Sequence, residues 1–420
     1  MKNWSTIKLG DCTEIARGSS PRPINDSAYF DKGKIPWIKI ADATASFKYI
    51  YETKEYVNDY GASFSRKLPP GSLIVAASGT LGFAIFLGVE GCIHDGWMYF
   101  KSIDERRFDK QFLYYLLNTL TKSFNAFSYG AAIQNINTEI LRNTSFRTPP
   151  LTVQSSIAAI LSAYDELIEN NQRRIALLEK MAEEIYREWF VRLRFPGHKT
   201  TQFVKGVPDG WQSKKLGELV RTQYGYTASA ETEVEGPQFL RITDIVPAAI
   251  DWALVPHCKI EGKDEEKYLL QVGDIVVART GATVGYAKRI NKYVPKAVFA
   301  SYLVRLVPTR KSDAIYLGLS VERSAFKDFI WMYVTGAAQP QANATTMALF
   351  PLFYPSEFVL KEFNRIIEPM LDEKELLLNQ TVILLRTRNL LLPRLISGKL
   401  SVENLDVQFP PSMGEPTHET

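Results

Sequence analysis

The sequence predicts an α+β fold, in which two duplicated mixed α/β domains are separated by two long antiparallel coiled-coil helices. Three observations predict this class. Segments of the first half recur in the same order in the second half. Each half contains short apolar runs bounded by glycine, which are typical of buried strands. A long heptad pattern of apolar residues, which indicates a coiled-coil helix, follows each half.

The duplication rests on five pairs of matching segments at a nearly constant offset of about 201 to 207 residues. Matches in one order at a similar offset indicate that a whole unit was duplicated, a globular domain followed by a long helix. The pairs are 4–11 with 211–218, 35–43 with 237–245, 69–86 with 270–289, the Gly-Ala-Ala segments 128–137 with 334–343, and the two helical stretches that follow them.

In each half a β-rich run, 72–78 or 274–279, leads into a glycine-rich turn. We expect a strand-turn-strand hairpin there, because the turn lacks the Gly-Lys-Ser/Thr of a P-loop and the dinucleotide-binding pattern before a helix. The alternative is that neighbouring polar side chains face a ligand, namely Ser78, Thr80, Arg279 and Thr280. Short helices with one apolar face are predicted at 110–120 and 312–322.

The stretch after the first domain carries a seam whose steps alternate between four and three residues. A seam of this length predicts a coiled-coil helix. Its one polar residue, Asn171, is of the kind that fixes register and orientation. The seam consists of Ile157, Leu161, Tyr164, Ile168, Asn171, Ile175, Leu178, Ala182, Ile185 and Trp189.

A less regular stripe follows the second domain. Lys374 and Asn389 interrupt it, and Pro393 is expected to kink its helix. We expect the two stripes to pair with each other, and about 35 residues would then make a rod of roughly 50 Å. The alternative is that each stripe packs on its own globular domain. The second stripe consists of Ile367, Leu371, Leu378, Val382, Leu385, Leu392 and Ile396.

These patterns divide the chain into six segments. Proline, glycine and polar residues mark a connection between the halves and a tail that is predicted to be disordered. The segments are the first domain 1–150, the central helix 151–194, the linker 195–210, the second domain 211–355, the C-terminal helix 356–405 and the tail 406–420.

Composition restricts the class of protein. The hydrophobic fraction is 45% and the charged fraction 23%, which suits globular domains. The net charge is +4, and residues 1–150 carry 18 Lys and Arg against 14 Asp and Glu. This excess points weakly to nucleic acid. Three scattered thiols, Cys12, Cys92 and Cys258, and the lack of a signal-peptide core predict a cytoplasmic protein.

Motifs for chemistry on DNA are missing from the sequence. It contains no Asn-Pro-Pro-Tyr or Asp-Pro-Pro-Tyr motif, no Walker motif and no histidine spacing for a metal, so we expect no cofactor and no metal. The run DEEK at 264–267 is expected to be a solvated turn. His94 beside Asp95 could form an acid–base pair, but a structural histidine is expected because no nucleophile is placed nearby.

The residues from 147 to 198 resemble the central region of type I restriction-modification specificity subunits. In that family a Pro-Pro-Leu stretch, here at 149–151, ends the first recognition domain, and the long helix closes on Trp-Phe and a Phe-Pro-Gly turn, here 189–190 and 195–197. Residues 206–220 and 391–400 also resemble the family. The second copy departs from it, with 353–363 in place of a Pro-Pro-Leu-x-x-Gln pattern.

The resemblance implies a DNA-specificity subunit that is non-catalytic by itself. Each target-recognition domain would read one half of a bipartite, asymmetric site on double-stranded DNA. The helices would set the spacing and dock two methyltransferase subunits, and motor-nuclease subunits would join through the complex. The alternative is a two-domain scaffold without DNA recognition, which the near-neutral charge leaves open. A self-contained restriction enzyme is disfavoured by the missing catalytic motifs.

Direct readout of bases needs donors for guanine and amides for adenine, carried on loops. For each candidate, a structural role is the alternative, and arginine or lysine can also hold phosphates. The candidates are Arg17, Ser19, Ser20, Arg22, Lys39, Ser78, Thr80, Gln134 and Asn135 in the first half, and Tyr224, Tyr226, Arg241, Arg279, Thr280, Gln339 and Gln341 in the second.

Overall fold

The computed structural model describes residues 4–130, 136–260, 262–334 and 340–413, without the side chains of 122–130. The chain divides into two compact units. Unit 1 consists of Met1–Glu169 and Leu384–Thr420, and unit 2 of Asn170–Ile383. Because these bounds fall inside the two long helices, each helix contributes one part to each unit.

Unit 1 is built on two sheets and a strand pair. The five-stranded sheet has the order β2-β10-β7-β8-β4, the four-stranded sheet β5-β3-β9-β6, and β1 pairs with β11. Its strands are β1 (Ser5–Lys8), β2 (Thr13–Arg17), β3 (Ile35–Ile38), β4 (Tyr49–Ile50), β5 (Glu55–Val57), β6 (Arg66–Leu68), β7 (Leu73–Ala76), β8 (Ala84–Leu87), β9 (Gly91–Ile93), β10 (Trp97–Ile103) and β11 (Ser145–Thr148). Its shorter helices are α1 (Ile40–Ala45), α2 (Asp59–Ser63) and α4 (Thr138–Asn143), and α3 (Lys110–Gly130) has 21 residues, ten more than the predicted helix 110–120; the long helix α5 (Leu151–Tyr186) follows.

Unit 2 repeats the scheme. Its four-stranded sheet has the order β15-β20-β17-β18, β16 pairs with β19, and β14 with β21. Its strands are β12 (Phe203–Val204), β13 (Val207–Pro208), β14 (Gln212–Lys215), β15 (Val220–Tyr224), β16 (Gln238–Leu240), β17 (Ile275–Ala278), β18 (Ala287–Arg289), β19 (Ala297–Phe299), β20 (Leu303–Pro308) and β21 (Pro351–Tyr354). Its helices are α6 (Ile242–Ile245), α7 (Gly262–Tyr268), α8 (Ala314–Glu322), α9 (Ser324–Trp331) and α10 (Ala344–Ala348), followed by the long helix α11 (Glu357–Ile396).

The mixed fold and its duplication are confirmed by sheet topology. The strand order β2-β10-β7-β8 in unit 1 corresponds to the order β15-β20-β17-β18 in unit 2. Each unit also contains one parallel strand pair outside this sheet, β3 with β9 in unit 1 and β16 with β19 in unit 2. The expected hairpins are present as β7–β8 and β17–β18. Their turns hold Gly79, Gly82, Gly281 and Gly285 at positive φ, which explains the repeated glycines.

The polar residue that the two Gly-Ala-Ala segments share is a helix cap. The Asn137 side chain accepts from the Ile140 N–H at 2.8 Å to cap α4, and Asn343 accepts from Thr346 at 2.7 Å to cap α10. The run DEEK differs from expectation, because it lies in the short helix α7 rather than in a turn. Asp264 and Glu265 occupy its first turn, where the helix dipole stabilises negative charge.

Segments of α5 and α11 pack in antiparallel fashion within each unit. In unit 1, Ile157 and Leu161 share a core with Leu395 and Ile396. In unit 2, the later residues of α5 share a core with earlier residues of α11, such as Ile367. That core also contains sheet residues of the second domain, so the stripe packs on its own domain as well as on the other helix. All predicted seam residues are buried or half-buried.

Of the two predicted interruptions of the second stripe, Lys374 lies on the seam and Asn389 does not. Asn389 is exposed, and its neighbour Arg388 lies on the seam with its guanidinium 2.8 Å from the Asp165 carboxylate of α5 in unit 1. Lys374 pairs with Glu179 of α5 at 2.9 Å in unit 2. With the buried Thr381, the polar seam positions of α11 recur every seven residues. The seam is therefore regular, with ion pairs at Lys374 and Arg388 and, between them, Thr381, whose hydroxyl donates to the Leu377 carbonyl of its own helix.

Two prolines lie inside α11 without ending it. Pro369 and Pro393 are both exposed, so the carbonyls that they leave free can be hydrated. The helix ends three residues after Pro393, at Ile396. A kink at Pro393 stays a prediction.

The part of the tail that the structure describes lies against unit 1, although the sequence predicts disorder for it. Pro410 is buried, Met413 packs on the unit 1 core, and the Ser412 hydroxyl donates to Glu166 of α5. A few apolar contacts are thus enough to hold this mostly polar part of the tail against unit 1.

A buried polar network joins the first domain to the long helices of unit 1. The Lys48 ammonium is 2.9 Å from the Ser162 hydroxyl, 3.2 Å from the Tyr115 hydroxyl and 3.9 Å from the Asp165 carboxylate. Tyr115 donates to Asp165, which Arg388 also binds. Burial lowers the pKa of Lys48 from 10.5 to about 8, against the opposing effect of Asp165. Lys48 is thus buried as a partly compensated cation.

Candidate nucleic-acid interface

In unit 1, three candidate side chains converge on Asp95, in the loop between β9 and β10. The Arg17 Nε–H donates to the Asp95 carbonyl at 2.7 Å, and the Ser20 hydroxyl donates to the Asp95 carboxylate at 2.8 Å. Arg22 forms an ion pair with the same carboxylate. The segment 17–22 is therefore held in one conformation by a residue some 75 positions away in sequence.

The electrostatics of this cluster favour an ionised Asp95. Burial acts to raise the pKa of Asp95, but the hydrogen bond from Ser20 and the charge of Arg22 outweigh it, so the pKa lies below its ordinary value. Among the described residues, the two Nη groups of Arg17 have no hydrogen-bond partner, and Arg17 is exposed. The Arg17 guanidinium is thus oriented by the loop while most of its donors face solvent.

The other described candidates of unit 1 lie around this cluster or beside it. Lys39 stands at the N-cap of α1, where its N–H donates to Asp42 at 2.9 Å, and its ammonium pairs with Glu55. The Ser78 hydroxyl lies beside Gly96, since a Cβ on that glycine would come within 3.0 Å of it. Ser19 is half-buried in the 17–22 loop, and Thr80 lies in the β7–β8 turn.

His94 has the contacts of a structural histidine. Its Nδ1 accepts from the Gly96 N–H at 2.9 Å, and its ring is 6.0 Å from that of Trp37 and 6.3 Å from that of Trp97. Burial lowers the pKa of His94. The imidazole therefore stays neutral near pH 7 and shapes the loop that carries Asp95.

In unit 2, Tyr224 and Arg279 form the corresponding cluster. The Arg279 guanidinium lies over the Tyr224 ring at 4.8 Å and donates to the Ser301 carbonyl at 3.4 Å. The Tyr224 hydroxyl accepts from the Ala344 N–H at 3.0 Å. The Arg279 Nε is buried and has no hydrogen-bond partner among the residues that the structure describes. Two elements far apart in sequence therefore hold one arginine at the loop between β19 and β20.

The segment that returns to α10 lies beside Arg279. Thr280 forms an isolated antiparallel bridge with Gln341, and the Ala342 N–H donates to the Arg279 carbonyl at 2.9 Å. Gln341 is exposed, whereas Thr280 is buried, with 8% of its surface exposed. The same contact occurs in unit 1, where the Ile136 N–H donates to the Ala77 carbonyl.

Tyr226 and Arg241 have local structural partners. The Tyr226 ring packs against Tyr268 at 5.3 Å. Arg241, at the N-cap of α6, binds both carboxylate oxygens of Asp244 at 2.9 and 3.0 Å. Gln134, Asn135 and Gln339 lie outside the described residues.

Sequence reasoning missed the group that organises each cluster. In unit 1 it is Asp95, and in unit 2 it is the Ser301 carbonyl, which no sequence motif marks. The one available signal was the glycine directly after β2, Gly18, which lies so close to the loop before β10 that a Cβ would meet the His94 carbonyl at 2.2 Å. The equivalent Gly225 lies as close to the Ala300 carbonyl, at 2.1 Å.

Groups that could hold a metal, three or more His, Cys, Asp or Glu together, do not occur among the described residues. Over the same part of the chain, each helix is too short or too polar to span a membrane.

Comparisons with known proteins bear on the whole chain. Residues 1–180 match the family model of the type I restriction modification DNA specificity domain. The type I restriction enzyme MjaIX specificity subunit of Methanocaldococcus jannaschii is 25% identical over 419 residues, covering 96% of this chain and 95% of the relative. The MjaVIII specificity subunit of the same organism is 25% identical over 427 residues, with the same coverage.

A solved structure shares the fold. The crystal structure of a type I restriction-modification system S subunit from M. genitalium aligns with a TM-score of 0.62 at 14% identity, over 94% of this chain and 96% of that one. Along nearly its full length the chain is similar to type I restriction enzyme specificity subunits, and its residues 1–180 match the DNA specificity domain of that family.

Proposed function

We propose that this chain is the DNA sequence-specificity subunit of a type I restriction-modification complex, and that each recognition domain reads one half of a bipartite, asymmetric site. One observation carries the proposal. The two units present a polar cluster at topologically equivalent loops, but with different side chains, Arg17, Ser20 and Arg22 in unit 1 against Tyr224, Arg279 and Gln341 in unit 2. One scaffold with two sets of side chains suits two different half-sites.

Split recognition follows from the energetics of base readout. A mismatched base pair costs about 1–3 kcal/mol, so a domain that reads a few base pairs discriminates only modestly. Two domains joined by long paired helices multiply their discrimination. In this proposal α5 and α11 set the number of unread base pairs between the half-sites.

The partners follow from the role of the relatives as subunits of restriction enzymes. We propose that two methyltransferase subunits dock on the helices and globular domains and that motor-nuclease subunits join through the complex. The chain is then non-catalytic by itself, needs no cofactor and acts in the cytoplasm. Purified chain alone should transfer no methyl group to DNA, and methyl transfer without partners would refute this assignment.

A salt titration of DNA binding separates this function from a scaffold without DNA recognition. We expect the chain with its methyltransferase subunits to bind duplex DNA with an affinity that falls steeply as salt rises. Arg22→Ala should weaken binding. Arg106→Ala is a matched control, because Arg106 is 91% exposed and lies beyond the opposite end of β10 from Asp95. A scaffold would give no binding that depends on salt, or equal effects of both variants.

A further inference from the structure

Strand register identifies two pairs of equivalent positions at the recognition clusters. Arg17 is opposite Met98 at the end of β2, and Tyr224 is opposite Val304 at the end of β15. Ala76 is opposite Trp97 and Ala278 opposite Leu303, so the following residues, Ala77 and Arg279, are equivalent too. The backbone agrees, because Ala77 N–H donates to the Gly96 carbonyl and Arg279 N–H to the Tyr302 carbonyl.

The arginine therefore occupies a different position in each unit. Unit 1 has Arg17 and Ala77, whereas unit 2 has Tyr224 and Arg279. Nevertheless the two guanidinium groups reach the same place. Asp95 and Ser301 are the residues two before Trp97 and Leu303, and the carbonyl of each accepts from the arginine of its unit, at 2.7 and 3.4 Å.

Keeping the guanidinium while changing the residue that carries it suggests a role for the group itself. If the Asp95 and Ser301 carbonyls required only a hydrogen-bond donor to fix the loop, a smaller polar side chain could serve as that donor. Both arginines also keep Nη donors without a hydrogen-bond partner among the described residues, the two Nη groups of Arg17 and Nη2 of Arg279. Each guanidinium is held by one N–H and offers others to a ligand.

We propose that Arg17 and Arg279 are equivalent anchors that bind the phosphodiester backbone of the two half-sites. This inference rests on the proposed function. A group common to two readers of different sequences must contact a feature that the two half-sites share, which is the backbone and not the base edges. Guanidinium groups bind phosphate oxygens through paired N–H donors. The anchors thus orient each domain, and side chains that differ between the units, such as Arg22 and Gln341, read bases.

The inference is tested by exchanging the two residue pairs between units. Arg17→Tyr with Ala77→Arg gives unit 1 the pair of unit 2, and Tyr224→Arg with Arg279→Ala gives unit 2 the pair of unit 1. The single variants Arg17→Gln and Arg279→Gln keep an N–H donor for the carbonyl but remove the charge. All are measured in complex with the methyltransferase subunits, on a duplex with the target mapped by methylome sequencing, across a salt series.

We expect each glutamine variant to weaken binding about tenfold and to lower the slope of log affinity against log salt by about 0.9, the contribution of one phosphate contact. The loss should be the same on the target and on duplexes with one altered base pair. The pair exchanges should restore affinity to within about threefold of the unaltered complex.

Two results would overturn the inference. One is a glutamine variant that keeps its affinity and salt slope, which would make the arginine a loop brace. The other is a pair exchange that has the same unfolding temperature as the unaltered protein but binds DNA as weakly as the glutamine variants. If the unaltered complex itself binds without salt dependence, the proposed function fails instead. Should a pair exchange not fold, the glutamine variants decide the question alone.

Discussion

The buried ammonium of Lys48 makes a quantitative prediction about stability and pH. Lys48→Met keeps an unbranched side chain of similar length and removes the charge. The carboxylate that faces Lys48 is not orphaned by this change, because Asp165 still accepts from Tyr115 and Arg388. The other charged groups that act on Lys48 are Glu166 and Glu169.

The magnitude follows from the lowered pKa. The fall of the Lys48 pKa from 10.5 to about 8 means that folding disfavours the charged form of Lys48, relative to the neutral amine, by about 3 kcal/mol. Between pH 8 and pH 10.5 the unfolded chain binds more protons at Lys48 than the folded chain does, so stability rises with pH. From about pH 7 to about pH 9.5 the gain is about 2 kcal/mol. The pKa values of the neighbouring Tyr49 and Tyr115 are raised, so these phenols stay neutral in this window.

Urea unfolding of both proteins at the two pH values measures the effect. All other titrating groups are common to the two proteins, so the difference in unfolding free energy isolates Lys48. We expect the unaltered protein to gain about 2 kcal/mol relative to Lys48→Met on going to about pH 9.5. A difference that stays constant, or that moves the other way, would show that Lys48 is not a strained cation in the folded state.

Further predictions concern the seam, the loop and the spacing. Arg388→Ala should cost about 1–3 kcal/mol in urea unfolding, since the buried Asp165 loses its arginine but keeps Tyr115 and Lys48. Asn389→Ala at the exposed neighbour should cost less than about 0.5 kcal/mol, and equal costs would contradict the assigned register. Asp95→Ala should impair methylation by weakening recognition of the first half-site only, because it releases Ser20 and Arg22. Asp104→Ala, beyond the other end of β10, is the control and should have no such effect. Equal effects of the two variants would contradict the role of Asp95. Seven residues added to both α5 and α11 keep the seam in register and lengthen each helix by about 10 Å. Methylome mapping should then find a gap between the half-sites that is about three base pairs longer. An unchanged gap would disprove the role of the helices in spacing.

Regular features of the fold could be read from the sequence because they repeat. The hairpins follow from apolar runs and glycines that adopt positive φ, such as Gly79 and Gly281. The long helices follow from a spacing that brings Ile157 and Ile367 to buried positions. Both signals depend on local periodicity, which the sequence displays directly.

The recognition clusters depend on contacts distant in sequence, which periodicity does not reveal. Asp95 acquires its role only when β9 and β10 bring it to the 17–22 loop. Thr280 is a polar residue in a turn, yet the bridge to Gln341 buries it. Arg388 and Asn389 are adjacent polar residues, and only the pairing with Asp165 decides which lies on the seam.

Replacement of residues 1–150 by the corresponding domain of a relative tests the central claim most directly. The altered subunit is expressed with its methyltransferase partner, and the methylated sites are mapped across the genome. The account predicts that one half of the target changes while the other half and the gap stay the same. Methylation in which both halves change, or neither does, would contradict the claim that each unit reads its own half-site.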